Sequence, residues 1–260
     1  HIYSVGISSG HKMSETAATG DIYVLVHGAW HTGELLESAA AIIRKMGHEV
    51  HCPTLAGNRP GDDRSAIGLQ QAVDSLVDYL HEHQLKEVRL VAHSYGGMVI
   101  SQVADMVPER IRRLVYVNAF VPEPGQCLND MLPPSYVQMF EAMALANNGA
   151  VIFPFPVWRE SFMNDADFQL ATSAYGKLNP QPYKTFTDKV TLKQPLAALT
   201  VGKSYVNCQQ DIALPHSQPW HPRLSERLGL FRLVECPGGH ETWFTDPEAI
   251  ARAVVAAGRD

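Results

Sequence analysis

Val91-Ala92-His93-Ser94-Tyr95-Gly96-Gly97-Met98 is the stretch on which the fold turns. The apolar run Val88 to Val91 ends there and a helix-like run begins just after, so the pattern predicts a strand that turns sharply into a helix at Ser94. A turn of that kind is strained, needs small residues on either side, and leaves a serine hydroxyl standing above the sheet edge, which is the arrangement of a nucleophile elbow. The pattern is usually written Gly-x-Ser-x-Gly; here Ala92 takes the first glycine's place and is small enough for strand and helix to approach. Ser94 is therefore the candidate nucleophile, with a structural turn serine as the alternative. A serine is a weak nucleophile at its free pKa and needs a base, an acid to orient that base, and donors for the developing oxyanion.

Outward from this stretch the chain alternates. Before it, Ile22 to Val26 reads as a buried strand, followed by the loop His27-Gly28-Ala29-Trp30-His31-Thr32-Gly33. Glu34 to Met46 has helical spacing and stops at Gly47, His48 to Cys52 is a short strand, Pro53 to Asp63 a turn-rich loop, and Ile67 to His83 a second helix. After it, a helix runs to Val107 and is ended by Pro108, and Ile111 to Ala119 is another strand. Repeated strand–helix alternation predicts an α/β fold with a mostly parallel sheet and helices on both faces.

Past Phe120 the rhythm breaks. From Val121 to about Val190 the chain is rich in Pro, Phe, Tyr, Trp and Met, and only Ser135 to Ala146 reads as helical. An insertion of that length between sheet elements is usually functional, so residues 121–190 are expected to form a cap over the Ser94 edge. The alternation then resumes with a strand at Ser204 to Cys208, a helix at Pro219 to Leu228, a strand at Phe231 to Cys236, and a last helix from Pro247 to Ala257 capped by Asp246. The core is thus residues 13–120 and 191–260. His1 to Lys12, polar and ahead of Met13, reads as a tag or leader.

Composition bounds the function. With 45% apolar and 18% charged residues in 260, the chain can bury one sizeable core. A formal charge of -6 without a basic stripe argues against nucleic acid and anionic membrane surfaces as partners. No apolar run approaches the ~20 residues of a membrane span. Four widely spaced cysteines read as free thiols rather than a disulfide framework, and a cytoplasmic location is expected. The pairs His81/His83 and His48/His51 gather no further ligand types, so no metal is expected.

In open α/β sheets the active residues lie in loops just beyond the carboxyl ends of strands. Past Cys208 stands Gln209-Gln210-Asp211, and past Cys236 stands Pro237-Gly238-Gly239-His240. The order Ser94, Asp211, His240 is that of an α/β-hydrolase triad, in which His240 takes the serine proton while Asp211 fixes its tautomer. Glu123 is the runner-up acid. The oxyanion donors are then the backbone N–H groups of Tyr95, after the nucleophile, and of Ala29 in the first loop.

Several motifs together resemble one family. The first loop His27 to Gly33, the elbow His93 to Met98, Asn118-Ala119-Phe120-Val121-Pro122 and Tyr205 to Pro215 are similar to the plant methylesterase and hydroxynitrile lyase family and to bacterial carboxylesterases of that type, such as pyrethroid hydrolases. The similarity spans about Ile22 to Ala257 and is weakest in the cap. It implies an α/β-hydrolase core with a small lid, no cofactor, an apolar pocket for small esters or cyanohydrins, the triad on Ser94, Asp211 and His240, and oxyanion donors on Ala29 and Tyr95. The lyases of the family carry Lys after the histidine and Thr in the first loop, where this chain has Glu241 and Gly28. A carboxylate beside the site would repel cyanide, which favours the esterases.

The expected function is a serine carboxylic ester hydrolase acting on small, mostly apolar esters through an acyl-enzyme. Candidate substrate-binding residues are Trp30, His31, Phe120, Phe153 and Trp158; Tyr95, where the family often has Leu, adds bulk beside them. A lyase, a non-catalytic small-ligand receptor on the same fold, and a cofactor-independent oxygenase are the alternatives.

Overall fold

The computed structural model describes residues 20–260; the leader reading of residues 1–12 lies outside them. Ile22–Val26 is β1, whose side chains alternate between two cores: Tyr23 and Leu25 face one side, Val24 and Val26 the other. A short turn of 3-10 helix at Gly33–Leu36 leads into α1, Glu37–Lys45, and then into β2, Glu49–His51, with Val50 buried. α2, Leu69–Glu82, buries Leu69, Val73, Leu76 and Leu80, the stripe its helical spacing foretells. β3, Val88–Ser94, is followed almost at once by α3, Gly96–Met106, and β4 spans Ile111–Ala119. Nearly every residue of α3 is buried, because it lies on the sheet with further chain packed over it.

The segment after β4 contains α4, Pro134–Ala146, a small antiparallel pair formed by β5, Ala150–Val151, and β6, Gln181–Pro182, and between them α5, Phe168–Tyr175. β7, Gly202–Cys208, and β8, Arg232–Cys236, return to the main sheet, and α6, Pro247–Gly258, closes the chain with the Asp246 side chain accepting from the Ala249 N–H. The main sheet has the order β2-β1-β3-β4-β7-β8, and every neighbouring pair is parallel. α1 and α6 cover one face and α2 and α3 the other, as the alternation predicts.

One helix expected from the sequence is not there. Pro219 to Leu228 is a series of turns with only Ser225–Leu228 coiled as a 3-10 turn. Pro222 lacks the N–H that a helix started at Pro219 would use to continue, and Gly229, at φ 75°, ends what remains. Among the described residues no helix is long and apolar enough to cross a membrane.

Candidate active site

Ser94 closes β3 at φ 54°, in the left-handed region that a non-glycine residue enters only under constraint. The constraint is visible around it. The register of β3 on β4 shifts between His93 and Ser94, the Ser94 carbonyl accepts the Phe120 N–H at 3.1 Å, and a Cβ at Gly97 would lie 2.0 Å from the Phe120 carbonyl. Only glycine lets α3 start this close to β4. Ala92, fully buried, fits where the elbow pattern has glycine.

Asp211 and His240 are brought together by register. β7 and β8 pair Cys208 with Cys236, so the loops leaving the two strands run side by side and are tied by Gln209 N–H to the Cys236 carbonyl at 2.9 Å and Gln210 N–H to the Gly238 carbonyl at 3.0 Å. Across this seam His240 Nδ1 lies 2.5 Å from Asp211 Oδ2, both side chains 1% exposed. Two further donors saturate the carboxylate: Asn118 Nδ2 at 2.7 Å from Oδ2, and the Ala213 N–H at 2.8 Å from Oδ1. Asn118 also exchanges hydrogen bonds with the Cys208 backbone from the end of β4, itself at φ 36°. Glu123, the alternative acid, is half-exposed and faces Arg227 at 3.9 Å, away from this group.

The acceptor at Nδ1 decides the tautomer. Asp211 can only accept, so Nδ1 carries the proton and Nε2 keeps its lone pair. Burial pulls the His240 pKa down, but the charge and hydrogen bond of Asp211, with Glu241 adding, raise it above its ordinary value. Trp220 stacks on the ring at 5.2 Å and 14°, and Phe162 meets it edge-on at 4.8 Å. His93, beneath it at 4.5 Å, is held well below the ordinary histidine range by burial and by the neighbouring histidines His240 and His31.

Ala29 and Tyr95 lie on the same cavity as Ser94, and neither backbone N–H has a partner among the described residues. The loop bearing Ala29 is held firmly: Trp30, at φ 68°, donates its N–H to Gln181 Oε1 at 2.8 Å and its indole N–H to the Val151 carbonyl at 2.9 Å. His27 donates from Nδ1 to the Gly28 carbonyl at 2.8 Å and accepts the Leu55 N–H at Nε2, and burial lowers its pKa to about 4. A Cβ at Gly28 would stand 3.2 Å from that of Ser94, so the threonine of the lyases would crowd the serine here.

The cavity beside Ser94 is small and mostly apolar. Its wall comes from the core through Trp30, Ser94, Tyr95 and Phe120, from the inserted segment through Leu128, Leu132, Tyr136, Phe140, Phe162 and Phe186, and from the late loops through Leu214, Trp220 and His240. Of the residues expected to bind substrate, Trp30 and Phe120 are on that wall and three are not. His31 turns away to bond with Glu241 at 2.8 Å; Phe153 is buried behind Trp30, stacked on it at 4.0 Å; Trp158 sits deeper still, its indole N–H on the Ala171 carbonyl. The sequence missed Asn118 and Trp220 in this setting. Asn118 lies in a motif that assigns it no role, and Trp220 follows the acid loop, where no local pattern tells pocket from surface. Because His31 answers the Glu241 charge, the repulsion of cyanide expected from that carboxylate is reduced; position 241 nevertheless supplies no cation of the lyase kind.

The profile of the Alpha/beta hydrolase family matches residues 23–253. The chain belongs to the alpha/beta hydrolase family. Within that family it is similar to a carbendazim hydrolyzing esterase from Nocardioides sp., 32% identical over 91% of this chain and 99% of that protein. It is also similar to a pyrethroid hydrolase from Sphingobium wenxiniae, 24% identical over 89% of this chain and 85% of that one. Among solved structures, an extracellular alpha/beta-hydrolase from a Paenibacillus species, described as sharing structural and functional homology with tobacco salicylic acid binding protein 2, superposes with a TM-score of 0.88 at 36% identity, over 92% of this chain and 100% of that one. As an alpha/beta hydrolase the chain stands among ester hydrolases.

Proposed function

We propose that the protein is a serine carboxylic ester hydrolase for small, mostly apolar esters. Ser94 attacks the ester carbonyl, His240 takes its proton at Nε2 and passes it to the leaving alcohol, and Asp211 holds the imidazole and stabilises the imidazolium. The oxyanion of the tetrahedral intermediate sits between the Ala29 and Tyr95 N–H groups; each such donor is typically worth ~100- to 1000-fold in rate. Water activated by His240 then releases the acid and frees Ser94. The inserted residues 121–190 act as the cap that keeps bulk water from the acyl-enzyme.

The observation that carries this reading is the 2.5 Å contact of His240 Nδ1 with Asp211 Oδ2, which leaves Nε2 free as a base on the cavity that Ser94 lines. The wall chemistry favours uncharged substrates, since among the described residues no Lys, Arg, Asp or Glu lines the cavity. The test is stopped-flow hydrolysis of a short-chain p-nitrophenyl ester by the wild type and by Ser94→Ala, with intact mass taken during turnover. A burst with an acyl adduct on the wild type and no turnover by the variant is expected; retained turnover by Ser94→Ala would overturn the assignment.

A further inference from the structure

The residue after His240 makes a contact that the mechanism above does not use. Glu241 Oε1 lies 2.8 Å from His31 Nε2, and His31 Nδ1 lies 2.7 Å from the carbonyl oxygen of Ala29. A carbonyl and a carboxylate can only accept, so both ring nitrogens of His31 must donate and the ring is an imidazolium. The chain of contacts therefore runs from the loop of the base, through a buried ion pair, to Ala29, the proposed oxyanion donor on the cavity that Ser94 lines. We propose that Glu241 is a positioning residue which, through His31, sets the Ala29 end of the oxyanion hole relative to His240. The proposal rests on the serine esterase function stated above.

Three observations support it. The pair is buried, with side chains 5% and 1% exposed, and Glu241 Oε2 has no partner among the described residues. Burying such a pair seldom adds net stability, and apolar residues of similar volume often serve as well or better, so stability alone does not account for it. The first loop, moreover, is fastened on two sides. On the side of the inserted segment Gln181 and Asn179 grip the backbone of Trp30, the Asn179 N–H reaching its carbonyl at 2.9 Å. On the core side the Ala29 carbonyl has His31 alone among the described residues. The His31 ring is otherwise enclosed by His93, Trp158 and Phe244, with ring centroids at 6.4, 6.0 and 6.0 Å. Burial lowers the His31 pKa, but the charge and hydrogen bond of Glu241 outweigh it and raise it above its ordinary value.

A neutral imidazole has one N–H and can serve only one of the two acceptors. Glu241→Leu removes both the acceptor and the charge that keep His31 doubly protonated, so the ring loses its anchor at position 241 and with it the fixed direction of its bond to Ala29. The double variant His31→Phe, Glu241→Leu removes both polar groups while filling the space, which separates folding from catalysis. Both are compared with wild type on a short-chain p-nitrophenyl ester, and each is titrated with a trifluoromethyl ketone, whose serine adduct carries an oxyanion, and with the matching methyl ketone.

The expected result is a kcat lower by roughly 10- to 100-fold, the size of loss that a misplaced group produces, with KM within about twofold and the trifluoromethyl ketone weakened in parallel while the methyl ketone is not. The double variant should melt at or above the wild-type temperature and still show the kcat loss. Wild-type kcat in both variants, or a loss carried by KM and by both ketones alike, would overturn the proposal. Ser94→Ala run alongside keeps the two levels apart: turnover by that variant would remove the esterase function itself, whereas its inactivity beside fully active Glu241 variants would remove only the brace.

Discussion

Asn118 Nδ2 stands 2.7 Å from Oδ2 of Asp211, the same oxygen that His240 Nδ1 approaches. One carboxylate oxygen thus receives two donors, and the other is taken by the Ala213 N–H, so the acid is fixed in the plane that its partner ring requires. Asn118→Ala removes a donor to a charged group and places alanine at φ 36°. It is expected to lower kcat by about tenfold and stability by about 1–3 kcal/mol, read from steady-state kinetics and urea unfolding.

Asp211→Asn should be far more damaging. The new amide brings one oxygen to a site where Asn118 Nδ2, the Ala213 N–H and His240 Nδ1 all approach as donors, so in either orientation a donor is left facing its NH₂, and the charge that stabilises the imidazolium is gone. The expected fall in kcat is about 10⁴-fold with the fold intact, the size of loss a triad shows when its Asp becomes Asn. Steady-state kinetics beside a melting curve check both parts.

The acid limb of activity follows from the His240 environment. The base must be neutral in the free enzyme, and its pKa is raised, so kcat/KM falls as pH drops through a midpoint above 6.5, the ordinary histidine value. A pH–rate profile with that midpoint below 6.5 would contradict the role given to Asp211.

Acid stability draws on different histidines, of which His27 offers the clearest test. His27 is buried neutral with its pKa lowered from 6.5 to about 4, so its folded-state pKa lies below the unfolded one. Its contribution is present above pH 6.5 and is lost as pH falls toward 4, an amount on the order of 3 kcal/mol over that window. Melting curves should therefore drop more steeply between those pH values for the wild type than for His27→Gln, which has no proton to gain.

Tyr95→Leu keeps the backbone N–H and removes bulk from the cavity wall, where the Tyr95 ring meets Phe186 at 6.4 Å. The ratio of kcat/KM for a hexanoyl over an acetyl p-nitrophenyl ester should rise by about tenfold, within the range that one or two methylenes command in an apolar pocket.

Much of this architecture was legible in the chain. The sheet could be anticipated because each strand is an apolar run bounded by turns, and Ser94, Asp211 and His240 are candidates because they follow strand ends, where open sheets of this kind place active residues; the fold brings Asp211 and His240 into contact. The cavity wall was legible only at Trp30 and Phe120. Phe153 and Trp158 lie in the same aromatic-rich segment as Phe140 and Phe162, and nothing in the local pattern says which ring faces inward once the segment folds over the sheet. His31 was misjudged for a related reason. Its nearness to Ala29 in sequence suggested the pocket, whereas its direction is set by Glu241, a residue distant in sequence that only the folded sheet brings beside it.

The uncharged lining of the cavity bears on the direction of traffic through it. An ester enters as a neutral molecule and loses little hydration on the way in. The acid formed from it ionises, and among the described residues no lysine or arginine on the wall compensates that charge, while the Asp211 carboxylate stands just behind His240. Beyond the Ala29 and Tyr95 N–H groups the wall offers the product's charge no compensation, so accumulated acid should compete poorly with the ester for the apolar part of the chamber.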